Sequence, residues 1–383
     1  MYEIDDYLAM VEDPVRTPAY LAAMAVTLRP GDRVLEIGTG FGYFAVHACR
    51  LGAAHVWAVE PNDAVAHGRA LAAANGCADR ITFVQGFAER LSLAERADVL
   101  VEDLRGTSPL HGSRLAVLRD ARDRLLVPGA RRVPLRDALL LAPSELPEDL
   151  ARLGPVAPAA PHGISVVPIR ALLPHAVHRT RADADALLAG GAVWARLDYA
   201  DLPDADPAGD AEFTVERDGM LAGFVSWFET TLAPGIGFDT GPAAGRTVYD
   251  RGFLPLGDPV AVRTGDRVTV RVRTRFDGTE YVWAWDTEVH HAAGGVERRR
   301  CSNLLTRAIS ALRRSRRSAE HVPARTAEVE SLATLLGAVD GATPLAEIAR
   351  VLRGAHPDAF ASEQDALRWA GELLARLDEE SGR

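Results

Sequence analysis

Three successive textures predict an α/β protein: a parallel sheet with crossover helices, then an antiparallel β-barrel or sandwich domain, then a small helical module. From about Asp32 to Pro134, short apolar runs (RVLEIG, HVWAVE, ITFV, ADVLV) alternate with helical stretches. Parallel strands need such crossovers. After Pro134 come Pro- and Ala-rich stretches, PSELPEDL and GPVAPAAP, and then many short segments such as ISVVPI, AVWARLDY, EFTVER, AGFVSWFE, RVTVRVRTRF and EYVWAWDTEV. Apolar and polar residues alternate there between Gly, Asp and Pro, as in antiparallel β structure. Beyond Cys301 the period becomes helical, in RCSNLLTRAISALRRSRR, AEVESLATLLGAV, PLAEIARVLRGA and EQDALRWAGELLARL. The domains are therefore drawn at residues 1–145, 146–300 and 301–383.

Size and charge narrow the function. At roughly 150 residues per domain, 383 residues hold two or three domains with a sizeable core. No apolar run approaches the length of a bilayer crossing. The net charge of −10 disfavours a protein that coats nucleic acid. Cys49, Cys77 and Cys301 are odd in number and widely spread, which speaks against a disulfide framework and against a structural metal. The start MYEIDDYLAM lacks the basic and apolar regions of a secretory signal, so the expected location is the cytoplasm.

The run Val34 to Val46, VLEIGTGFGYFAV, sets a glycine-rich turn between a strand and a helix. Glycines there admit positive φ and a close backbone approach to a ligand. At the end of the next strand stands Glu60, where a carboxylate can take both hydroxyls of a ribose. Two nucleoside cofactors fit that pattern. A dinucleotide prefers a third glycine where Tyr43 stands, because the helix start must pack under a pyrophosphate. S-adenosylmethionine carries no pyrophosphate.

Glu36, the G-T-G-F-G loop and Glu60 together resemble the class I S-adenosylmethionine-dependent methyltransferases, with their Rossmann-like sheet. The likeness narrows at MVEDPVRTPAY, which is similar to the D-x-x-R-T-x-x-Y segment of the protein arginine methyltransferases. That match assigns Arg16 to the cofactor's carboxylate, a task suited to a guanidinium fork. In ITFVQGFAE it assigns Glu89 to the adenine amino group. The resemblance thus implies a cofactor shell of Arg16, Glu36, Gly38, Thr39, Gly40, Gly42, Glu60, Pro61, Gly86, Phe87, Ala88, Glu89 and Glu102. Tyr7 is the counterpart of an aromatic lid, although the N-terminal helix that carries it is short. GRTVYDRGFLPL resembles the segment with the family's Thr-His-Trp loop, placing Thr247, Val248 and Tyr249 at those positions.

The family's catalytic hairpin departs from its pattern here. In the arginine methyltransferases two glutamates clamp and polarise a guanidinium. In VEDLRGTSPLHGSR the first falls on Asp103 and the second on Gly112. A guanidinium, with a pKa above roughly 12, needs strong electrostatic help to offer a neutral nitrogen. An alkylamine near roughly 10.4 needs less. Asp103 is therefore expected to orient an amine, Glu102 is second, and His111 or Tyr249 is a proton acceptor or pocket wall. His162 reads as structural. Trp283 and Trp285 alternate as on a strand, so packing is favoured over a cation cage.

The last helices resemble small peptide-binding modules related to the pyrroloquinoline quinone chaperone (PqqD-like), through Asp340, Gly341, Glu347 and Ile348. The plainer reading is a helical cap. The arginine run 313–317 reads as a solvated helix face that also suits an acidic leader peptide. Together these features suggest N-methylation of an amine on a ribosomally made peptide (RiPP), as in daptide-type methyltransferases, which dimethylate a terminal amine. A small-molecule or arginine N-methyltransferase and a non-catalytic S-adenosylmethionine-binding scaffold are the alternatives. The product would be S-adenosylhomocysteine. The resemblance also allows a homodimer through residues 171–197.

Overall fold

The structure, a computed structural model, describes residues 3–153, 160–203, 205–306, 322 and 325–374. The chain divides into two compact units, 1–307 and 308–383. The arginine run 313–317, most of the helical stretch expected from 301 to 317 and most of GPVAPAAP lie outside the described residues. No helix among the described residues is long and apolar enough to cross a membrane.

The first unit opens with helices α1 (Ile4–Glu12) and α2 (Arg16–Thr27). Asp13 stops one and starts the other, its Oδ1 accepting the N–H groups of Val15 at 2.9 Å and Arg16 at 2.7 Å. Then come β1 (Arg33–Ile37), α3 (Tyr43–Arg50), β2 (His55–Glu60), α4 (Val65–Ala74), β3 (Ile81–Gln85), β4 (Ala97–Glu102), α5 (Arg114–Arg124) and β5 (Leu126–Val133). The strands form a parallel sheet in the order β3-β2-β1-β4-β5. After β3 the chain crosses to the far side of β1, so the order reverses between β1 and β4. A crevice opens at the carboxyl ends of strands at such a switch point. The register pairs Ile37 with Glu102, which sets the glycine turn beside the segment that follows β4.

The antiparallel part differs from the expectation in two ways. Strand β6 (Arg136–Ser144) follows the Val133–Pro134 peptide bond and pairs with β10 (Gly219–Ala233) and β8 (Ala192–Asp198). The antiparallel sheet thus begins at Arg136, ahead of the 145 drawn from the sequence, since β6 pairs with β10 and β8. The barrel is also open. One sheet runs β7 (His178–Thr180), β12 (Arg251–Val262), β10, β6, β8, with β11 (Ile236–Asp239) on β10. The other runs β15 (Val296–Ser302), β14 (Tyr281–His290), β13 (Arg267–Phe276), β9 (Ala208–Thr214).

Apolar packing joins these two sheets in place of a hydrogen-bonded ladder, as in a sandwich. Trp285, fully buried, crosses the gap and donates to the Pro255 carbonyl at 2.7 Å. Trp283 is buried edge-on to Trp194 with ring centres 5.7 Å apart. Both indoles thus pack as the strand alternation implies. The same core runs on into the parallel sheet and its α5 through Leu35, Leu100 and Leu115, so one apolar core spans both parts of the first unit.

The second unit has three described helices, Ala327–Ala338, Leu345–Ala355 and Glu363–Leu374. They close over Leu335, Ile348, Leu352 and Phe360. Asp340 makes a local turn, accepting the Ala342 and Thr343 N–H groups at 2.9 and 2.7 Å, and Gly341 has φ +77°. Ile348 is core and Glu347 is exposed.

Candidate active site

The glycine turn follows β1 because its backbone must bend under crowding side chains. A Cβ at Gly38 would meet Leu104 at 2.5 Å, one at Gly40 would meet Tyr7 at 2.9 Å and one at Gly42 would meet Phe83 at 2.6 Å. Gly38 and Gly42 have φ of +76° and +85°, a region in which side chains are disfavoured. Three glycines thus serve three neighbours, and α1 lays Tyr7 on the turn. The Tyr7 hydroxyl accepts from Asn62 Nδ2 at 3.1 Å.

A cavity of about 630 Å³ opens at the switch point. One end is walled by Gly38, Glu60, Pro61, Asn62 and Gly86 to Glu89. Glu60 Oε2 accepts the Gly40 N–H at 2.9 Å and Oε1 the Asn62 N–H at 3.0 Å. Each oxygen keeps a lone pair for a ribose hydroxyl. Burial raises the Glu60 pKa, and those N–H groups oppose the rise. Thr39, Gly40 and Gly42 shape the turn without lining the cavity. Glu36 does not reach it either: buried beneath the turn, it accepts from Thr39 Oγ1 at 2.7 Å. Burial pushes its carboxyl up to about 8, against the hydrogen bonds from Thr39 and Ala45.

The other end holds Arg16, Asp103, His111 and Tyr249. Asp13 Oδ2 accepts the Val248 N–H at 2.8 Å, so the start of α2 draws in the loop that carries Tyr249. Asp103 is enclosed by donors. Its Oδ2 accepts from Arg16 Nε at 2.5 Å and the Tyr249 hydroxyl at 2.6 Å, its Oδ1 from Arg105 Nη1 at 3.0 Å. Burial works against the Asp103 charge, but the two guanidiniums outweigh it and hold the carboxyl below its ordinary range. Burial and the facing Asp103 raise Tyr249, so its hydroxyl keeps its proton. Among the described residues Arg16 Nη2 has no hydrogen-bond partner, which leaves N–H groups for a carboxylate in the cavity.

Glu102 departs from its expected roles. It is 2% exposed, does not line the cavity and forms a bidentate pair with Arg114, Oε1 to Nη2 at 2.5 Å and Oε2 to Nε at 3.0 Å. Strand alternation turns it away from the side chain that follows it. The structure adds residues with no motif. Arg105 donates to both oxygens of Asp137 on β6, at 2.8 and 3.0 Å, and to Tyr20 and Thr230. Asp137 also takes the Tyr199 hydroxyl, which in turn accepts from Arg114 at 2.7 Å. Arg16, Asp103, Arg105, Asp137, Arg114 and Glu102 thus form one buried chain of balanced charge. Asp137, a single acid in the apolar run ALLLA, was its legible sign, since buried acids are paired. His162 is exposed at φ +52°, away from the cavity.

A sheet with a glycine turn, an acid at the end of β2 and a guanidinium lining the cavity make the arrangement expected of a nucleoside-binding site. The profile of the ribosomal protein L11 methyltransferase (PrmA) family matches residues 16–104. A probable histone-arginine methyltransferase CARM1 of Oryza sativa subsp. indica is 35% identical over 137 residues, 35% of this chain and 26% of its own length. The chain thus spans about a quarter of that relative. An arginine N(omega)-methyltransferase of Streptomyces achromogenes subsp. streptozoticus is 27% identical over 271 residues, 70% of this chain and 75% of its own.

Two solved structures share the fold. Protein arginine methyltransferase 10 of Arabidopsis thaliana has a TM-score of 0.68 at 20% identity, covering 79% of this chain and 98% of its own. The Trypanosoma brucei PRMT1 enzyme-prozyme heterotetrameric complex with AdoHcy has 0.70 at 21%, covering 77% and 97%. Residues 16–104 thus match a methyltransferase family profile, and the chain has the fold of the protein arginine methyltransferases of known structure.

Proposed function

We propose that this chain methylates an amine nitrogen on a ribosomally made peptide, a terminal amine that takes up to two methyl groups. The observation that carries the reading is the hairpin, where the cavity has Asp103 in one clamp position and Gly112 in the other. One carboxylate suits an alkylammonium better than a guanidinium. The peptide-module-like turn at Asp340 supports a peptide carrier, although the described residues of the second unit include no strand for a leader to extend. Residues 171–197 are the proposed dimer contact.

When bound, S-adenosylmethionine supplies a methyl carbon whose bond to the positive sulfur breaks, the electron pair leaving with sulfur. Glu60 holds the ribose, Glu89 the adenine amino group and Arg16 the carboxylate. Arg105 is tied by Asp137, Tyr20 and Thr230, so Arg16 is the partner that can release Asp103 as it turns to the carboxylate. Asp103 then orients the ammonium, which loses its proton on desolvation. The nitrogen lone pair forms the new C–N bond in line with the departing sulfur, and alignment supplies most of the rate. His111 at the cavity wall takes the proton outward.

The Streptomyces relative, aligned over 70% of the chain, favours a second reading in which the acceptor is arginine. Incubation with S-adenosylmethionine and separate probes, a peptide with a primary amine at its C-terminus, the same peptide capped, and arginine, followed by mass spectrometry, tests both. Gain of one or two methyl groups on the uncapped peptide supports the proposal. Gain on arginine alone replaces it with the second reading, and cofactor binding without any product replaces both with a scaffold.

A further inference from the structure

Gly112 lines the cavity with φ +50°, and nothing lies within 4 Å of where its Cβ would stand. The space for a second carboxylate is open, but the left-handed backbone disfavours a glutamate there. A carboxylate arrives from elsewhere. The Gly112 N–H donates to Glu280 Oε2 at 3.3 Å, across 168 residues of sequence. Glu280 sits at the end of the β13–β14 turn, where Asp277 Oδ1 accepts the N–H groups of Thr279 and Glu280, both at 3.0 Å. That turn holds its backbone against the hairpin.

The charges nearby make this contact informative. Asp103 is answered by Arg16 and Arg105, and Glu102 by Arg114. Among the described residues no cation is paired with Glu280, so it brings an unmatched negative charge to the hairpin. Its exposure means that a cation can meet it with little desolvation.

We propose that Glu280 is the second carboxylate of the acceptor site, supplied by the β13–β14 turn where the hairpin has Gly112, and that it selects a cationic acceptor. This rests on the amine reading of the function. Glu280 does not itself line the cavity but meets it through Gly112, which makes it a specificity residue at the rim, contributed by the antiparallel part.

The test is Glu280→Gln in the full chain. Glutamine keeps an oxygen for the Gly112 N–H and removes only the charge, so a purely structural role would leave the kinetics unmoved. Binding of the amine-terminated peptide is measured by calorimetry in the presence of S-adenosylhomocysteine, and turnover by mass spectrometry. The expected result is about a tenfold weaker peptide Kd and a matching rise in KM, as for loss of one charged contact. The Kd for S-adenosylhomocysteine and the thermal midpoint stay at wild-type values, and Glu280→Asp recovers part of the loss. Less than a twofold change in peptide Kd overturns this inference alone. Failure of the wild type to bind either that peptide or arginine overturns the cationic acceptor itself, and this proposal with it.

Discussion

Asp103 shows how one cavity-lining side chain can be held from three directions. Its oxygens are filled by Arg16, Arg105 and Tyr249, and Arg16 also lines the cavity. Asp103→Asn is therefore expected to lower turnover at least about a hundredfold, as for loss of a charged contact at the reacting group. Affinity for S-adenosylhomocysteine, read by calorimetry, should hold or improve because Arg16 is less tightly held. Parallel loss of both would move Asp103 into the cofactor shell. Glu36 gives a pH signature. Its folded pKa of about 8 lies above the ordinary 4.5, so the folded state binds a proton that the unfolded chain gives up first. Stability is complete below the ordinary value and falls as pH rises through about 8, by up to about 1.4 kcal/mol per pH unit. Glu36→Gln should remove that slope in urea titrations at pH 5.5 and 8.5, assay settings on either side of the upper half of the window. Parallel slopes for the two proteins would sink the argument.

The elements around the site are placed by their ends. β1 stops at Ile37 so that the turn can pass beneath Leu104 and Tyr7, and α3 starts from a left-handed Gly42 pressed on Phe83. Gly42→Ala adds both a strained φ and a clash with an aromatic ring, and should cost about 2 kcal/mol or more in chemical denaturation. A loss below about 0.5 kcal/mol would mean that Phe83 yields freely. The second unit is a contrast, since the residues that resemble a peptide module there build a turn and a core position.

The first unit is joined by charge as well as by its apolar core. The chain has no lysine, so its buried guanidinium cations stay protonated and must be matched in place. Asp137 on β6 matches Arg105 from the segment after β4, tying the antiparallel part to that loop. Asp137→Ala leaves that guanidinium buried without its main partner and should cost about 3–5 kcal/mol in urea unfolding. Pairing it with Arg105→Met should recover much of the loss. If the double variant is no more stable than the single one, the ion pair is not what the substitution removed.

Order along the chain was legible where function is local. A strand, a glycine turn and an acid at the next strand end occupy fewer than thirty consecutive residues, Val34 to Glu60, and backbone geometry alone brings them together. The strand, turn and strand-end acid of the parallel sheet could be read for that reason, and the burial of Trp285 followed from strand alternation. What residues far apart do to one another was not legible. Glu102 turned to Arg114 and Asp137 reached Arg105 because packing of separate elements sets which charges meet in low dielectric, and the same packing brought the exposed Glu280 to the Gly112 N–H. Closure of the antiparallel part was hidden likewise, since alternation reports which face of a strand is buried and says nothing of its neighbour.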